Sequence, residues 1–154
     1  MASSKHQIDL GSDDIDEVTL ARIRKQRDVA RVHGYEAPAK FVDAWVRGVK
    51  IVGEQYFECK TPLSGDAVTE FETLNDVTDK NQLTPKWDFI EKNIYAMSGG
   101  EAALLATMCS FYNAEWGGKM MQEFGLQGMA DISAKLDLEG NQIVADLLIN
   151  YTGW

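Results

Sequence analysis

From Phe41 onward, apolar residues recur at three- and four-residue steps: Phe41, Val42, Trp45, Val46, Val49, Val52 and Tyr56. This is the helical period, and it describes a wide buried face. Pro38 suits the first turn of that helix and Thr61-Pro62 ends it. Gly48 and Gly53 weaken it locally or admit a close neighbour. Upstream, Ser12 reads as an N-cap, with Asp13, Asp14, Asp16 and Glu17 crowding the first turn, where the helix dipole favours anions. Arg22, Arg24, Lys25, Arg27 and Arg31 crowd the other end, and Gly34 reads as its stop. The spacing predicts a helix near 13–33. Its apolar positions (Ile15, Val18, Ile23, Val29, Val32) make a loose stripe, so it is expected to pack only partly. Residues 1–11 are polar and read as a flexible arm, leaving 12–154 as one helical domain.

Downstream, 63–83 has no clear period. Val68, Phe71 and Leu74 fit a short helix, and a strand or an ordered acidic loop fits as well. Thr84-Pro85 reads as a cap with proline at the first helical position, opening a helix from about 85 to 97 on Trp87, Ile90, Ile94 and Tyr95. Ser98-Gly99-Gly100-Glu101 has the capping-box pattern. It starts a core helix through Ala102, Leu105, Met108, Cys109, Tyr112 and Trp116, stopped by Gly117-Gly118. Another turn before Gly125, a short helix on Met129, Ile132 and Leu136, and a turn at Leu138–Asn141 follow, with Asn141 as the next cap. Ile143, Val144, Leu147, Leu148 and Tyr151 form the last face. The expectation is an all-α, single-domain bundle of five to seven helices with an irregular acidic segment near 63–83.

Length and composition support this. A chain of 154 residues, 45% apolar and 25% charged, has the size and make-up of one globular domain. Cys59 and Cys109 form no disulfide framework or CxxC motif, so buried free thiols in a reducing cytoplasm are expected. Met1–Leu10 has no apolar core, so no secretory leader is expected. The longest apolar stretch, Ala102–Cys109, is far shorter than the ~20 residues of a membrane span.

Charge changes the picture more. Residues 1–60 carry ten basic and ten acidic side chains, whereas 61–154 carry five and fourteen, so the net −9 sits wholly in the second part. Such a surface repels phosphates and attracts basic surfaces. Asp66, Glu70, Glu72, Asp76 and Asp79 form the candidate docking surface. Arg24, Arg27 and Arg31 share one helical side and could contact nucleic acid, although dipole complementation and i,i+4 pairing, such as Arg24 with Asp28, explain them more simply.

The sequence holds no catalytic motif, and the spacing of acids such as Glu101, Glu115 and Asp131 does not show that they converge. His6 and His33 have no partner at ligand spacing, and Asp137–Asn141 lacks the length of a calcium loop, so no metal site and no cofactor are expected. Cys109 lies on an apolar helical face, where a thiolate is poorly solvated. Ser98-Gly99-Gly100 lacks the lysine of a phosphate cradle, and Glu101 repels an anion.

The run Ala103–Gly118, above all Ser110-Phe111-Tyr112-Asn113 and the glycine pair, with the short helices after it, resembles small helical accessory proteins of bacterial conjugative elements and prophages. The resemblance covers about residues 103–152. It implies a mobile-element setting, in which proteins of this size are often inhibitors of host defence of the anti-CRISPR or anti-restriction type. The leading expectation is a cytoplasmic, non-enzymatic binding or inhibitor protein. It would dock a basic surface of a protein partner, within nucleic-acid machinery, with no membrane and no direct nucleic-acid binding. The alternative is a small helical enzyme or ligand-binding bundle with a pocket lined by Trp87, Tyr95, Tyr112 and Trp116. A second alternative is a nucleic-acid-contacting protein using the basic helix end 22–31.

Overall fold

A computed structural model describes residues 16–60 and 68–154. It is 75% helical, with six α-helices and one two-stranded ladder among the described residues. The chain is all-α, and the helix count falls inside the expected five to seven. Chain contacts divide it into two units, Met1–Val32 and His33–Trp154.

In the first unit, Asp16 caps the start of α1 (Glu17–Val52). Its Oδ1 accepts from the Thr19 backbone N–H at 2.9 Å and its Oδ2 from the Thr19 hydroxyl at 2.8 Å. Ser12, expected as the cap, and the arm 1–11 lie outside the described residues. Between Glu17 and Val32 no side chain is buried, which suits the loose apolar stripe.

The second unit begins inside α1. Gly34 and Pro38, expected to separate two helices, lie within this single one. Proline removes one intrahelical hydrogen bond, at a cost of about 3 kcal/mol. The buried face that follows, from Ala37 through Phe41, Val42, Ala44, Trp45, Val46, Val49 and Val52, offsets that cost. The helix ends at Val52, well before Thr61-Pro62. Gly53 takes the left-handed φ of 109°, and its N–H donates to the Val49 carbonyl at 2.8 Å. Tyr56, expected on the helix, is buried in the 3-10 turn that follows.

Strands β1 (Phe57–Glu58) and β2 (Thr84–Pro85) pair antiparallel, Phe57 opposite Pro85 and Glu58 opposite Thr84. Thr84-Pro85 is thus an edge ladder and not a helix start. The Thr84 hydroxyl donates to the Glu58 carbonyl at 2.8 Å, and Pro85 needs no partner for an N–H it lacks. Helix α2 (Trp87–Asn93) starts two residues later and tightens into a 3-10 turn at Ile94–Ala96.

Helix α3 (Gly99–Tyr112) is the centre of this unit. Ala102–Cys109 is buried without interruption, the pattern of a helix covered on all sides. It touches α4 (Ala114–Glu123), α5 (Met129–Lys135), α6 (Leu138–Asn150) and β2. Its start is the expected capping box. The Ser98 Oγ accepts from the Glu101 N–H at 3.3 Å, and a Glu101 carboxylate oxygen accepts from the Ser98 N–H at 3.1 Å.

Its end differs from expectation. The break is Asn113, whose Oδ1 accepts from the Trp116 N–H at 2.9 Å and caps α4. Gly117 and Gly118 lie inside α4 and stop nothing. A Cβ on Gly117 would stand 2.2 Å from the Ser110 backbone nitrogen, so this glycine exists for close approach of α4 to α3. Gly125 does stop α4, at φ 70°. The N–H groups of Leu126 and Gly125 donate to the carbonyls of Met121 and Gln122 at 2.8 and 3.0 Å, a Schellman ending.

Asp137, and not Asn141, caps α6: its Oδ1 accepts from the Gly140 N–H at 2.8 Å. Asn141 sits inside the helix and donates its amide to the carbonyls of Ser133, Leu136 and Asp137. Ile143, Val144 and Leu147 are buried as expected, while Leu148, Tyr151 and Met129 are exposed. Past α6, Tyr151 is extended and Gly153 takes a positive φ of 94°. Trp154 lies 4.8 Å from the Trp45 ring and 5.1 Å from the Tyr112 ring, with the Lys80 ammonium over its face.

Candidate functional site

The acidic stretch is an ordered loop from Val68 to Leu83, with 3-10 turns at Leu74–Asp76 and Lys80–Gln82. Leu74, Val77 and Leu83 anchor it in the core. Its polar scaffold is local. Asp76 Oδ2 accepts from the Thr73 N–H at 3.0 Å and from the Thr73 hydroxyl at 2.8 Å. Asp79 Oδ1 accepts from the Asn81 N–H at 2.7 Å.

The central group is Gln82, almost fully buried. Its Oε1 accepts from the N–H groups of Thr78 and Asp79 at 2.8 and 2.9 Å, and its Nε2 donates to the Thr69 carbonyl at 2.7 Å. One amide therefore ties three points of the loop together. Sequence reading missed it, although Asp79-x-x-Gln82 has the same capping-box spacing as Ser98-x-x-Glu101. Gln82→Leu should leave these groups without partners and destabilise the chain by about 2–4 kcal/mol. The urea midpoint and hydrogen exchange over Thr69–Leu83 would report it.

On this scaffold Glu70, Glu72, Asp76 and Asp79 are exposed, and none forms an ion pair among the described residues. Asp66 lies outside the described residues. Nearby cations are engaged elsewhere. Lys80 sits 5.1 Å from the centre of the Trp154 ring, and burial lowers its pKa against the pull of Asp79. The Lys50 ammonium donates to the Asn75 side chain at 3.3 Å. Arg47 bridges Asp146 at 2.6 Å and Asp43 at 3.0 Å.

The expected aromatic pocket forms in part. Trp87 and Trp116 stack with ring centres 5.2 Å apart and planes 27° apart. With Tyr112 they line an open groove of about 580 Å³, bordered by Glu58, Lys60, Lys86 and Asp88. Tyr95 does not belong to it. That side chain is exposed, packs beside Phe124 at 5.6 Å and donates its hydroxyl to Glu123. The charged rim had no signal in the sequence, because β1 and α2 bring it together across 25 residues or more.

In the first unit, Arg24, Arg27 and Arg31 are exposed on α1, and the expected Arg24–Asp28 pair is not formed. No group of three or more His, Cys, Asp or Glu converges among the described residues. No described helix is long and apolar enough to cross a membrane.

The two thiols differ sharply. Burial pushes Cys109 up to about 12, whereas Cys59 is only half-buried and is raised by burial and by the Glu70 charge. A thiol reagent at about pH 8 should therefore modify Cys59 first, and Cys109 only on unfolding. Mass spectrometry of the labelled chain checks this; equal labelling would contradict the burial of Cys109.

Comparison with protein-family models, with curated proteins and with solved structures finds no match for this chain.

Proposed function

We propose that this chain is a non-enzymatic binding protein that docks a basic surface of a protein partner through its acidic loop. The observation that carries the reading is that Glu70, Glu72, Asp76 and Asp79 stand exposed and without ion pairs among the described residues, on a loop whose backbone is fixed by Gln82. A loop whose backbone is already fixed loses little freedom when a partner binds, so more of the electrostatic attraction is retained. The resemblance of residues 103–152 to mobile-element accessory proteins adds a setting. In it the partner is a basic, nucleic-acid-handling protein of host defence, and docking inhibits it.

The test is association with such proteins at low and high ionic strength. Binding that weakens at least about tenfold between about 50 and 500 mM salt supports the reading, and binding that ignores salt overturns it. The competing reading, direct nucleic-acid contact, is favoured by the exposure of Arg24, Arg27 and Arg31. A duplex DNA gel shift by the unmodified chain, lost in the triple Arg→Glu variant, would replace acidic docking with that reading.

A further inference from the structure

The groove at Trp87, Tyr112 and Trp116 combines aromatic rings with a rim of both charges. Trp116 is 40% exposed and Phe89 39% exposed, so two large aromatic rings meet solvent here beside the half-buried Trp87 and Tyr112. The rim holds two carboxylates, Glu58 and Asp88, and two ammonium groups, Lys60 and Lys86. Their charges cancel in a chain whose net charge is −9. Glu58 and Lys60 pair at 3.0 Å, which fixes one side of the rim.

This combination selects among occupants. An anion would meet Glu58, Asp88 and the field of the whole chain, and a cation would meet Lys60 and Lys86. A wholly apolar group would strip water from four charged side chains and return no hydrogen bonds. A proline-rich strand is short of N–H donors, so it offers little to Asp88, which forms no ion pair among the described residues. A pyranose ring fits all the terms. Its C–H faces lie on aromatic rings, and each hydroxyl both donates and accepts, so carboxylates and ammonium groups are satisfied together. The volume is that of an ordinary small-ligand site, and the groove is open to solvent.

We propose that this groove binds a neutral oligosaccharide, with the Trp87–Trp116 stack as its platform and Glu58, Lys60, Lys86 and Asp88 as its hydrogen-bonding rim. The inference does not rest on the acidic loop.

The test follows the indole N–H resonances of the intact chain during titration with neutral hexasaccharides of glucose and of N-acetylglucosamine, to about 10 mM. Saturable shifts of Trp87 and Trp116, with Trp45 unmoved, are expected for at least one of them. Trp116→Ala should weaken binding about tenfold or more. Asp88→Asn and Lys86→Gln, both at exposed or half-exposed positions, should weaken it about threefold without altering the melting curve. The proposal is overturned if neither sugar produces saturable shifts, if Trp116→Ala binds as well as the unmodified chain, or if a proline-rich decapeptide shifts the same indoles while both sugars fail.

Discussion

Gly117→Ala and Gly118→Ala should move the stability of this chain in opposite directions, although the residues are neighbours in one helix. On propensity alone each change should stabilise α4 by about 1 kcal/mol. A Cβ at Gly118 meets nothing within 4 Å, so that gain should be kept. At Gly117 the new carbon would stand 2.2 Å from the Ser110 nitrogen, 2.3 Å from its Cα and 2.5 Å from the Cys109 carbonyl carbon. These are backbone atoms of α3 and cannot rotate away. Either α4 lifts off α3 or the Asn113 corner opens, at a cost of about 3 kcal/mol or more, which exceeds the propensity gain. Urea unfolding of the two variants is the measurement. Equal midpoints would mean that α3 and α4 do not approach as closely as described.

Trp45→Ala should destabilise the chain by about 4–6 kcal/mol, a large share of the ~5–15 kcal/mol of an ordinary domain. The side chain is fully buried and stacks on Phe41, meets Phe57 edge-on and lies against Trp154. Its Nε1–H donates to the Leu83 carbonyl at 2.8 Å. Two effects add, the cavity and the stranded carbonyl. Trp45→Phe separates them, since it keeps much of the ring volume and loses the bond. It should cost about 1–3 kcal/mol. Leu83 ends the acidic loop, next to Gln82. The Trp45→Phe loss should therefore appear first as faster hydrogen exchange at Thr69–Leu83, before the helices loosen.

These three residues also show what periodicity and caps could and could not reveal. The stripe from Phe41 to Val52 placed Trp45 in the core, and the Ser98-x-x-Glu101 box placed the start of α3, because both signals are local. Gly125 was legible for the same reason. Gly117-Gly118 was misread because a glycine needed for a left-handed turn and one needed for helix contact look identical in sequence. Their difference lies in Ser110, seven residues earlier in the chain. Gly34 and Pro38 were misread because the burial that carries α1 through a proline comes from tertiary packing. Thr84-Pro85 has a helix-start spelling, but its partner Glu58 is 26 residues away.

The candidate site divides along the same line. Its residue types were legible. The acids of 70–79 are exposed, and Trp87, Tyr112 and Trp116 converge. What supports them was not, because Gln82 acts through Thr69 and Thr78, and the groove rim is assembled from distant segments. Tyr95 fits the helical stripe of α2 yet points to solvent, since the helix tightens to a 3-10 turn at Ile94 and shifts the face.

The proposed docking depends on where the carboxylates of the loop stand, and not on total charge. Two variants of equal net charge test it: Glu70→Gln with Glu72→Gln, and Glu91→Gln with Glu139→Gln. All four side chains are exposed and none takes part in a cap or an ion pair among the described residues. Affinity for an arginine-rich decapeptide, measured at about 50 mM salt, is the readout. The loop variant should lose about tenfold while the other stays within about twofold of the unmodified chain. Equal losses in both variants would contradict this, because attraction would then follow net charge alone.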